Sequence, residues 1–136
     1  MISQKDPKSK GIEGAFMEKS EMRKLAEFIE KLSWDDLPEE VKTTVSFRVL
    51  DLISAALGAV DDPLVKKVKA SYLERNNGTG GKIWGSKGET DISTAAYINA
   101  MLAHTLELDD VHPASKTHGS ASLIPAAWSC ARYVHA

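Results

Sequence analysis

Cysteine is nearly absent: Cys130 is the only one in 136 residues, so a disulfide framework within the chain is excluded. Cys130 lies in the apolar run 126–131, where a free thiol is expected to be a small core residue rather than a nucleophile. A dominant charge is also missing. The formal net charge is −2, giving neither a basic footprint for nucleic acid nor an acidic solvating tail. No apolar run approaches the roughly 20 residues needed to span a bilayer, so no membrane partner is expected. The first residues are polar and basic, without the apolar stretch of a secretion signal. The cytoplasm is therefore the expected location, and the Asn77-Gly78-Thr79 triplet has no meaning there as a glycosylation site. Alternating strand patterns and internal repeats are lacking as well, which leaves an all-α reading.

What is present is helical periodicity broken by clear turn signals. Residues 1–19 are rich in Lys, Gly and Ser and have no apolar period, so they read as a disordered lead-in within which Met17 is an alternative start. Residues 20–136 read as one helical domain. Ser20 is placed to cap a first helix carrying Met22, Leu25, Ile29 and Leu32. After a turn at 33–37, Pro38 opens a second helix reaching Gly58. Its second half is apolar almost all round, as in a helix buried on most sides. Asp62 and Pro63 start a third helix that ends near Asn77-Gly78. A glycine-rich loop follows, with a short extended piece expected at 82–84. Asp91 or Ser93 caps a fourth helix through Ala95, Ile98, Leu102 and Leu106, which must stop before His112 because Pro113 follows. A fifth helix is expected over 122–135, with Leu123, Ile124, Ala127 and Ala131 inward and Pro125 in its first turn.

Chemistry concentrates between the last two helices. His104, Glu107, Asp109, Asp110, His112 and His118 fall within fifteen residues. Ionisable groups leaving an apolar helix are costly to desolvate unless they are paired or used, and shifted pKa values suit acid–base work near neutral pH. Acids at a helix C-terminus oppose its dipole, so they are not there for helix stability. The last helix is expected to begin after His118-Gly119-Ser120-Ala121, and the free N–H groups at its N-terminus attract carboxylates. A metal set drawn from His104, Glu107, Asp110, His112 and His118 is a rival, but the spacing does not match HExxH and no metal is assigned. The glycine-rich loop matches no phosphate-binding pattern, and Lys82 and Lys87 are read as solvated.

The run from Ala95 through His104, Glu107, Asp109 and Asp110 to His112 resembles the MmgE/PrpD family. So do Thr117-His118-Gly119-Ser120, Ile124-Pro125-Ala126-Ala127 and the helix Val49–Gly58. That family includes 2-methylcitrate dehydratase, cis-aconitate decarboxylase and iminodisuccinate epimerase. The resemblance spans about residues 21–136. It implies the opening helices of a large helical domain, with a smaller α/β lid elsewhere in the family's chain. It also implies a small di- or tricarboxylic acid as substrate, no cofactor, and proton abstraction beside a carboxylate with dehydration, decarboxylation or epimerisation.

On this resemblance His118 takes the active-site histidine position. Glu107, Asp109 and Asp110 take the acidic positions, and Asp109 and Asp110 are expected to orient His118 or take part in proton transfer. His104, His112 and Ser120 are the candidate substrate contacts. Val111 stands where the decarboxylase branch has threonine and Gly119 where proline is common, which argues against a plain cis-aconitate decarboxylase. The family's later lysine, histidine and tyrosine have no counterpart here, so the chain alone is expected to show no turnover. The expected partner is a second copy in a homodimer or a complementing chain. The alternative is a non-catalytic helical module, either a gene remnant or a subunit completed by a second polypeptide.

Overall fold

The structure, a computed structural model, describes residues 20–76 and 78–135. The lead-in expected over 1–19 lies outside the described residues. Two compact units are delimited, one ending at Pro38 and one beginning at Glu39. Among the described residues, the regular elements are helical, with isolated bridges at Gly81–Thr90 and His112–Thr117. The all-α expectation therefore holds.

In the first unit, α1 spans Glu21–Lys31. It begins where the sequence places it, because the Ser20 hydroxyl accepts a bond from the Arg23 N–H at 3.3 Å. The turn after it is a single 3-10 turn, Trp34–Asp36. Ser33 caps it, and the Asp36 carboxylate accepts from the Ser33 N–H in return.

In the second unit, α2 (Glu39–Gly58), α3 (Pro63–Arg75) and α5 (Gly119–Val134) all pack on α4 (Ile92–Thr105). Local chemistry sets the starts of α3 and α4. Asp62 accepts from the N–H groups of Leu64 and Val65 at 2.8 and 3.0 Å, with Pro63 in the first turn. Asp91 accepts from Thr94 N–H at 2.9 Å. Helix α4 is central because its buried residues Thr94, Ala95, Ile98, Asn99, Leu102 and Ala103 recur at helical spacing. Leu52, Val65 and Ile98 fill the core, each burial stabilising by about 1.5–3 kcal/mol. Ala56, Ala95, Ala103 and Ala121 let the backbones approach.

Several expectations need correction. Helix α2 is not buried on most sides. It buries Leu52, Ala55 and Ala56, while Leu50 and Leu57 are exposed, because helical partners contact only one face. Helix α5 begins at Gly119 rather than Ser122, so Pro125 sits inside the helix and not in its first turn. The helix buries Ala121, Pro125 and Ser129, spaced by four, against its neighbours. This compact face permits close approach to α4, and it leaves Leu123 and Ala127 exposed and Ala131 and Ile124 only half-buried. Cys130 is exposed rather than in the core, since it lies one helical step beyond the buried Ser129. The glycine-rich loop has a single bridge at Gly81–Thr90 in place of an extended piece at 82–84.

That loop crosses the start of α4 so closely that a Cβ on Gly81 would lie 2.5 Å from the Asp91 carbonyl oxygen and 2.7 Å from Ala95 Cβ. Glycine is a packing requirement at that point. Asn99, fully buried on α4, fastens the loop. Its Oδ1 accepts from Trp84 N–H at 2.8 Å, and its Nδ2 donates to Lys82 C=O at 2.9 Å.

Candidate active site

The site forms where α4 ends. Helical geometry carries His104 on the last turn, and the chain then reverses at Glu107, whose φ of 50° is left-handed. The Glu107 N–H bonds back to His104 C=O at 2.9 Å, as in a helix-terminating αL turn. Two residues later, the Asp109 side chain is wholly buried, 0% exposed. The next segment folds on itself. His112 N–H donates to Thr117 C=O at 2.9 Å, and the His112 ring bonds Ser115 Oγ, also at 2.9 Å. That reversal brings His118 back beside Asp109 just ahead of α5.

The Asp109 carboxylate lies between two imidazoles. His104 Nδ1 is 3.0 and 3.2 Å from its two oxygens, and His118 Nδ1 is 2.9 Å from Oδ2. The two rings meet edge to face with centroids 4.7 Å apart. Burial, the largest single influence on Asp109, pushes its carboxyl up. The hydrogen bonds from His104 and His118 push it down, and the net lies below the ordinary carboxylate value. An ionised carboxylate only accepts, so each Nδ1 donates its proton to Asp109 and each Nε2 is the ring atom left for chemistry. Neither Nε2 has a hydrogen-bond partner among the described residues. The imidazoles are 48% and 37% exposed, so both reach solvent while the acid orienting them does not.

The other sequence candidates lie apart from this triad. Asp110 faces α2 and pairs with the guanidinium of Arg48, while its Oδ1 is buried without a partner. Glu107 is exposed, and what it visibly contributes is the chain reversal. His112 is exposed within its own turn. Ser120 lies in the first turn of α5 and, with Arg48, Asp110, His112 and Gly119, borders a cleft of about 430 Å³. His118 occupies the N-cap position of α5 without a side-chain cap bond, so no side chain covers the helix's positive end. Sequence reasoning passed over Arg48. Its signal is that it is the only basic residue between Thr43 and Val60, set in an otherwise apolar stretch of α2.

Fold and site together define a class: a helical domain organised around a buried aspartate that holds two histidines. The sequence pattern of the MmgE/PrpD N-terminal domain matches residues 23–136. The chain belongs to the MmgE/PrpD family. No curated protein and no solved structure was found to match it.

Proposed function

We propose that this chain supplies acid–base residues to an MmgE/PrpD-type enzyme. The reaction removes a proton beside a carboxylate of a small di- or tricarboxylic acid, most simply as a dehydration like that of 2-methylcitrate. One observation carries the reading: the buried Asp109 carboxylate lies within hydrogen-bond distance of Nδ1 of both His104 and His118. Such an acid both orients an imidazole and stabilises the imidazolium formed when Nε2 takes a proton. His118 is assigned as the base or acid, and Asp109 and His104 position it. A substrate carboxylate fits the neighbouring cleft, where Arg48, Ser120 and the uncapped start of α5 offer positive charge and donors. Exposed Phe47, Leu50 and Leu123 give this region an apolar surface that a second copy or a complementing chain would cover.

The test is turnover in D2O by the protein purified with whatever chain co-purifies with it. NMR would follow 2-methylcitrate, cis-aconitate and related acids. The expected result is deuterium at the carbon beside a carboxylate, lost with His118→Ala. Exchange undiminished by His118→Ala, or none with any of these acids, overturns the reading. The second of these outcomes favours a non-catalytic helical module.

A further inference from the structure

The three groups that hold the site together are also three metal-ligand types. His104 and His118 each offer an imidazole nitrogen and Asp109 a carboxylate oxygen, and these ligand atoms all lie within 4.8 Å of one another. The nitrogen–oxygen separations are 3.0, 3.2 and 2.9 Å. Zinc bonds to histidine nitrogen and carboxylate oxygen are about 2.0–2.1 Å, which places neighbouring ligands of a tetrahedral ion about 3.3 Å apart. The nitrogens and the carboxylate are therefore already near that spacing. Asp109 is fixed by burial, whereas the two imidazoles are partly exposed and can shift by the few tenths of an ångström that separate these distances from that spacing. Two histidines and one carboxylate form a ligand set suited to divalent transition ions rather than to magnesium or calcium. The exposed side leaves a fourth position for water.

We infer that His104, Asp109 and His118 form a binding site for one divalent transition-metal ion of the zinc class, occupied in exchange for the two Nδ1–H···Asp109 hydrogen bonds. The exchange balances without loss of a proton. Each neutral imidazole moves its proton from Nδ1 to Nε2, and the freed Nδ1 lone pair binds the ion beside an Asp109 oxygen. Proton-bridged and metal-bridged states then exclude each other. Binding does not rest on the acid–base reading above. Only a consequence does: with Nε2 protonated the imidazole is no longer a base, so the ion inhibits turnover.

The experiment is titration of the full chain with Zn2+ by calorimetry and with Co2+ by visible absorption. Wild type is compared with His104→Gln, Asp109→Asn, His118→Gln and, as a control outside the triad, His135→Asn. Circular dichroism checks helicity, and His104→Gln, at a half-exposed position, keeps the test open should Asp109→Asn unfold. The expected result is one ion per chain, with Co2+ bands of low-coordinate intensity. His104→Gln and His118→Gln should each weaken binding by more than the roughly 10–100-fold typical of losing an outer-shell partner, and His135→Asn should leave it unchanged. No stoichiometric ion in wild type, or undiminished binding in both histidine variants, overturns the site. A protein that turns over substrate but binds no ion sinks this inference alone. One that binds the ion but never turns over sinks only the acid–base reading.

Discussion

The loops on either side of α4 are each pinned by one buried polar residue, and they differ in what that residue leaves over. Before α4, Asn99 receives Trp84 N–H and donates to Lys82 C=O. Both partners are backbone groups, and each finds its hydrogen bond there. After α4, Asp109 receives two imidazole N–H groups. Its partners are side chains, and each keeps a second ring nitrogen unused. A neutral amide closing backbone bonds is a fastener. A carboxylate holding two titratable rings leaves each with a ring nitrogen able to take up or release a proton. Burial alone does not separate the two, since both residues are buried. The chemistry of the partners does.

Breaking the second loop should produce the largest effect. His118→Ala is expected to lower kcat of the proposed reaction by about 10²–10⁴-fold, the usual worth of a positioned acid or base, and to cost about 1–3 kcal/mol of stability, because the buried Asp109 carboxylate keeps only its His104 donor. Steady-state kinetics beside a melting curve measures both. The first loop should respond differently. Asn99→Ala strands a buried N–H and C=O and is expected to cost about 2–4 kcal/mol in chemical unfolding. The pH profile of any surviving activity should keep its shape.

Acid titration sharpens the contrast. The Asp109 carboxyl is held below its ordinary value of 3.8 in the folded chain. Its stabilising contribution is therefore complete above that value and is lost as pH falls through the lower folded value. Denaturant melts in acid should show the difference between wild type and Asp109→Asn shrinking as the pH falls below about 4.

The smallest effects concern the residues that shape the second loop. Glu107→Gly relieves a left-handed backbone and should stabilise the fold by about 0.5–1 kcal/mol, the strain removed less the added chain entropy. Arg48→Met removes a half-exposed ion pair with Asp110 and should cost no more than about 1 kcal/mol. Equilibrium melts resolve both.

The sequence shows most where a local signal sufficed. Ser20 and Asp62 cap the helices they were expected to cap, and of Asp91 and Ser93 it is Asp91 that caps the fourth, because capping is settled within three residues. The buried stripe of α4 follows from its period. What stayed hidden depends on which neighbour packs where. Which face α2 buries is set by its helical neighbours and not by its own near-uniform apolar run. Cys130 and Ser129 differ by one helical step, and the outward one is the cysteine. Asp109 and Asp110 are adjacent, yet one turns to the histidines and the other to Arg48. No periodicity governs an irregular loop, so their division of labour could not be read from spacing.

The most direct measurement is long-range ¹⁵N–¹H correlation NMR of the histidine rings in the metal-free protein, at a pH where the imidazoles are neutral. The expected result is Nδ1–H with a bare Nε2 for both His104 and His118, reverting toward the Nε2–H form common in free imidazole when Asp109 is replaced by alanine. Nε2–H on both rings of the unmodified chain, or no change on removing Asp109, would contradict the claim that this carboxylate organises the site.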